Sequence, residues 1–309
     1  MKKFSIFICT LLLLAGCAKN ETNIYGLIPD QNGSGNGDSP DNSALVTFSA
    51  SLENRNMTRA MSAMPKGVIS EIYSFKASDN KASDPSADGL YITSSAGILS
   101  GIGGYKMYLS NGTYNMFGVS NNSTSNPPEI NNGKTVPLRN GIDYLWWENL
   151  EQDITTSQIH IPIVFQHVSV QIVIDISAGN SLQLDSLVSA TILPPSPGGI
   201  LDLKTGIISP AEAYDTTPFN MGKNKFLTQA IILPIVSNTP MALTLKILAD
   251  GETTPRTYTA NIPIPGKLAG GLSYVFSAII DGNSVSFPEV SIKDWTEVDE
   301  TGNPLYPKQ

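Results

Sequence analysis

The sequence predicts an all-β protein, and three observations carry that expectation. Short apolar runs recur at the period of a half-buried strand, beginning with Val46, Phe48, Ala50 and Leu52 between polar neighbours. The runs favour Ile, Val, Tyr and Thr, and the 21 prolines and 26 glycines fall mostly between them. No helical pattern alternates with the strands, which points to β-sandwiches and away from a βαβ fold.

Length and charge narrow the function. A chain of 309 residues suggests two domains, and 41% apolar residues can build a core for each. The balance of 27 acidic against 19 basic side chains, a net charge of −8, argues against a nucleic-acid partner. Two histidines and two cysteines leave little material for metal chemistry.

The elements follow in order. Lys2 and Lys3 precede the apolar run Phe4 to Leu14, which is too short to span a bilayer and reads as a secretory signal. Leu14-Ala15-Gly16-Cys17 resembles the bacterial lipobox. Residues 1–16 are therefore expected to be removed between Gly16 and Cys17, with Cys17 lipidated and the membrane reached through acyl chains. The stretch 17–44, rich in Gly, Asn, Ser, Asp and Pro from Pro29 onward, reads as a flexible tether.

Beyond the tether, strands are expected at 46–52, 68–75 and 90–92. Residues 105–109 and 113–119 flank Ser110-Asn111-Gly112, and Asn-Gly between apolar runs signals a hairpin. Further strands are expected at 159–165, 167–176, 187–193, 199–203, 226–233, 241–248, 256–262, 272–280 and 284–287. Only Asp143 to Leu150 and, more weakly, Ala211 to Tyr214 suggest short helices. The polar stretch Glu151 to Gln158 suggests the domain boundary, giving domains 45–155 and 156–309.

Several landmarks together resemble the fimbrillin-like lipoproteins of Bacteroidales type V pili. They are the lipobox at Cys17, Val46-Thr47-Phe48-Ser49-Ala50 with Thr58-Arg59-Ala60 after it, and Gly112-Thr113-Tyr114-Asn115. Next come the stretch from Ile163 to Val170, Gly199-Ile200-Leu201-Asp202-Leu203, Gly270 to Phe276, and Val290 to Trp295. The resemblance implies two tandem transthyretin-like antiparallel β-sandwiches. It also implies an outer-membrane surface lipoprotein that becomes part of a fimbrium and serves adhesion. In that family an Arg-specific surface protease removes the first strand, and a strand of the next subunit fills the groove by β-strand addition. The displaced strand would present Val46, Phe48, Ala50 and Leu52. Arg59 matches the family's cut site, with Arg55 as runner-up. Val285, Phe287, Val290 and Ile292 could serve as donor positions, whereas the Pro-broken tail after Trp295 fits a donor strand poorly.

Catalytic signatures are missing from the sequence: it contains no Gly-x-Ser-x-Gly, no His-Glu-x-x-His and no Walker-type loop, and no cofactor is implied. His160 and His167, an odd spacing apart, fall on opposite faces of a straight strand and make no metal pair. His167 reads instead as a hydrogen-bonded structural residue. Tyr144, Trp146 and Trp147 form the densest aromatic cluster; the choice lies between a plug at a domain interface and glycan contacts. The second option belongs to the rival reading, a permanently anchored glycan-binding lipoprotein that does not polymerise.

Overall fold

The computed structural model describes residues 43–53, 61–78, 84–180 and 182–295. Gly16, Cys17, Arg55 and Arg59 lie outside them. The described residues are almost entirely strand, turn and irregular structure, with a single 3-10 turn at Ile102–Gly104.

The first part of the chain forms β1 (Ser43–Leu52), β2 (Ser62–Ala63), β3 (Ile69–Lys76), β4 (Ala87–Ser95), β5 (Ile98–Gly101), β6 (Met107–Ser110) and β7 (Gly112–Ser120). The short pair β8 (Ile130–Asn131) and β9 (Lys134–Thr135) follows, then β10 (Leu145–Ile154) and β11 (Gln158–His167). Nine of these strands make one sheet in the order β11-β10-β7-β3-β4-β5-β1-β2, with β6 also on β1. Because β1 pairs back onto β11, the sheet closes on itself. Its interior holds Val46, Phe48, Leu52, Ile72, Met107, Met116, Trp147, Ile163 and Phe165.

The second part forms β12 (Val170–Ala178), β13 (Leu184–Leu193), β14 (Gly199–Leu201), β15 (Ile208–Pro210), β16 (Phe219–Asn220), β17 (Gly222–Asn224) and β18 (Leu227–Ile232). It ends with β19 (Met241–Ala249), β20 (Arg256–Ile262), β21 (Leu272–Asp281) and β22 (Ser284–Asp294). Two sheets, β17-β18-β12-β21-β22 and β16-β13-β19-β20, face each other across a core that includes Ile172, Ile174, Ile192, Leu243, Leu245, Tyr274 and Phe276. This is the layered sheet-on-sheet packing that alternating strands demand.

A third cluster joins the two parts. Tyr73, Phe75, Phe117, Val119, Tyr144 and Trp146 of the closed sheet pack against Leu201, Leu203, Ile208 and Leu233. Three expectations change here. Asp143 to Leu150 is not helical: β10 runs through it, with Trp147 in the first core and Trp146 in the joining cluster. Burial of both faces erases the alternation that marks a half-buried strand. Ala211 to Tyr214 is likewise irregular. The Asn-Gly hairpin also fails, because β6 pairs with β1 while β7 inserts between β3 and β10. Met107 and Leu109 are needed against the interior face of β1, and that pulls β6 away from β7.

The chain passes between sheet systems at Val168 and Ser169, later than the boundary of 155–156. Residues 151–158 cover the end of β10, the turn at 155–157 and the start of β11, two strands of the same closed sheet.

Candidate functional site

The candidate site is the slot that β1 occupies. Its sequence alternates throughout, so Ala44, Val46, Phe48, Ala50 and Leu52 point inward, each no more than 2% exposed. Full burial of Val, Phe or Leu contributes roughly 1.5–3 kcal/mol each. That sum is comparable to a whole domain's net stability of about 5–15 kcal/mol, so the slot cannot stand empty without large cost. Phe48 adds an edge-to-face contact with Tyr91 at 5.3 Å.

Both edges of β1 are paired. One edge runs parallel to β11, from Leu45 opposite Gln158 to Leu52 opposite Phe165. The ladder begins with Leu45 N donating to Ser157 O at 3.0 Å and ends with Glu53 N donating to Phe165 O at 2.9 Å. The other edge is divided among β6 at Ser43–Val46, β5 at Ser49, and β2 at Ser51 and Leu52. Three short antiparallel partners on one side and one continuous parallel partner on the other make β1 the closing stave of the sheet.

Tyr144, Trp146 and Trp147 do not form a surface platform. All three are under 10% exposed. The Trp146 indole donates to Leu203 O at 2.8 Å, and the Tyr144 hydroxyl accepts from Arg139 N at 3.1 Å. Of the two readings the plug describes Tyr144 and Trp146, which belong to the joining cluster, and Trp147 fills the first core. Glycan contact through these rings is excluded in this arrangement.

The histidines separate as their parity requires. His160 is exposed beside β1, whereas His167 is buried with Nδ1 2.9 Å from Asp143 Oδ1. Asp143 Oδ2 in turn accepts from Asn122 Nδ2 at 2.9 Å. Among the described residues no group of three His, Cys, Asp or Glu could hold a metal ion, and no helix is long and apolar enough to cross a membrane.

A family model described as fimbrillin-like matches residues 58–295. The chain belongs to the fimbrillin-like family. A fimbrillin-like family is one of fimbrial subunits. No curated protein matches the sequence significantly. Among solved structures, a candidate cell adhesion protein of Bacteroides uniformis superposes with a TM-score of 0.59 at 16% identity, covering 82% of this chain and 99% of its own. Another from Bacteroides ovatus gives 0.61 at 14% identity, covering 82% and 99%. A third, from Bacteroides fragilis, gives 0.51 at 15%, covering 82% and 98%. At these identities the likeness is one of fold.

The family match begins at residue 58, after β1. What sequence reasoning missed is the partner set of β1. Parallel pairing with β11 joins residues more than a hundred positions apart, and no local signal marks it.

Proposed function

We propose that the protein is the precursor of a fimbrial subunit that polymerises by strand exchange. It travels as an outer-membrane lipoprotein held through Cys17. An Arg-specific surface protease cuts at Arg59, or at Arg55, and β1 is released. A strand of the next subunit then enters the slot between β11 and the short strands β6, β5 and β2, and the fibre serves adhesion.

One observation carries this reading: β1 is paired along both edges and packed on its inner face, yet it is the N-terminal stave of its sheet. Its removal opens a β11 edge and an apolar trough that only another strand of the same alternation can refill. Toward the other end of the described residues, β22 is an edge strand whose only partner among the described strands is β21. Its Val290 and Ile292 are exposed, and Val285 and Phe287 are partly buried against the second core. Those four residues are the donor candidates.

The test is to treat purified precursor with an Arg-specific protease. A nick at Arg59 followed by a ladder of SDS-resistant multimers is expected, and Arg59→Ala should abolish the ladder. Undiminished multimers from the Arg55→Ala, Arg59→Ala double variant would rule the route out.

A further inference from the structure

We infer that the β11 edge selects its incoming strand by hydroxyl groups, with His160 as the residue that reads them. This rests on the strand-exchange reading and specifies the partner: an extended segment alternating apolar residues with Ser or Thr.

The argument starts from the outward-facing side chains of β1. Thr47 Oγ1 donates to Ile159 O and Ser51 Oγ to Ile163 O, each at 3.2 Å. Between them stands His160, on the outer face of β11 opposite Thr47. Its Nδ1 lies 3.2 Å from Thr47 Oγ1 and its Nε2 3.1 Å from Ser49 Oγ. The donors balance in one tautomer. Thr47 spends its proton on Ile159 O, so Nδ1–H donates to Thr47 Oγ1 and Ser49 Oγ–H donates to Nε2. One imidazole thus spans two successive outward positions of the neighbouring strand.

Apolar alternation alone sets which face of a strand turns inward but leaves its position along the slot open to shifts of two residues. The hydroxyls remove that freedom. A strand displaced by two residues toward the C-terminus of β11 would set Leu45 in place of Thr47 and leave Nδ1 without an acceptor. The slot therefore fixes register through Thr or Ser at the positions of Thr47, Ser49 and Ser51. Within this chain, Ser284-Val285-Ser286-Phe287 on β22 carries the same hydroxyl-apolar alternation.

The test uses full-length chain cut by an Arg-specific protease and two labelled ten-residue peptides. One copies β1, and the other carries Thr47→Val, Ser49→Ala and Ser51→Ala. The hydroxyl peptide is expected to leave the cut protein about tenfold more slowly, as four hydrogen bonds allow when the two to His160 are exposed to solvent. In His160→Leu protein the two bonds made by the imidazole are gone while those to Ile159 O and Ile163 O remain, so the difference should shrink to about threefold. Equal release rates from the unmodified protein would overturn hydroxyl selection while leaving strand exchange standing. Capture of neither peptide would sink strand exchange and this inference together. In the uncut chain, the pair Thr47→Val, Ser49→Ala and the change His160→Leu should be non-additive in unfolding experiments, and additivity would overturn the role of His160.

Discussion

The indole of Trp295 lies flat on the imidazole of His167, with ring centroids 4.4 Å apart and planes 13° apart. Trp295 follows the end of β22, whereas His167 ends β11, so the stack ties the last described strand to the closed sheet. Asp143 holds the imidazole at its edge through Nδ1, and Asn122 holds Asp143. The donor candidate β22 is therefore fastened at its C-terminal end to the sheet that contains the β1 slot.

Trp295→Ala is expected to cost about 3–5 kcal/mol, the usual loss for a buried large aromatic. Amide exchange in Val290–Asp294 should quicken more than in β19 or β20. Trp295→Phe should cost clearly less than Trp295→Ala, because a ring stack survives even though the smaller ring leaves a cavity, and the buried indole N–H has no partner among the described residues. Equal losses for the two variants would show that the stack is not what holds β22.

A second joint is sterically tighter. Gly206 has φ of +66°, and a Cβ there would stand 2.5 Å from Trp146 Cδ2. Gly206→Ala should therefore destabilise by about 2 kcal/mol or more through left-handed strain and overpacking together. It should also shift Trp emission, since the indole must give up its position under Leu203 O. Gly266→Ala is the control: its φ is +85° and nothing lies within 4 Å, so only the backbone strain remains.

Burial raises the Glu71 carboxyl above its ordinary value of 4.5; the Tyr73 hydrogen bond opposes this, and the nearby Asp88 and Glu129 add to it. Burial raises Asp88 as well. A raised folded-state acid binds its proton more readily in the native than in the unfolded state. Its favourable contribution is complete below pH 4.5 and is lost as pH rises through the folded value. Glu71→Gln should thus raise Tm at pH 7 and lose that advantage near pH 4. A pH-independent gain in thermal unfolding would refute the assignment.

Much of the strand pattern was legible because half-buried strands alternate. Residues 256–262 were expected as a strand and form β20 with those bounds. Legibility failed where both faces are buried, as at Leu145-Trp146-Trp147, since two cores remove the polar half of the pattern. It failed again at Asn111-Gly112, where local turn chemistry lost to the long-range need of β1 for Met107 and Leu109. The alternation of β1 marked it as a strand, but its slot, and the His160 bridge to Thr47 and Ser49, required a pairing that no local pattern encodes.

The proline in β11 follows from the same pairing. The ladder bonds at both ends of β1 go to odd-numbered residues, Ser157 and Phe165. Even-numbered Pro162 therefore turns its nitrogen away from β1, where its missing N–H costs nothing. On that side β10 pairs with β11 only at Gln166 and His167. Proline there blocks a free edge from recruiting other chains. Pro162→Val should leave unfolding free energy within about 1 kcal/mol, since the residue is exposed and makes no ladder bond. It should increase self-association of the uncut chain in sedimentation experiments. A variant that stays as monodisperse as the parent would show that the edge is guarded by something other than Pro162.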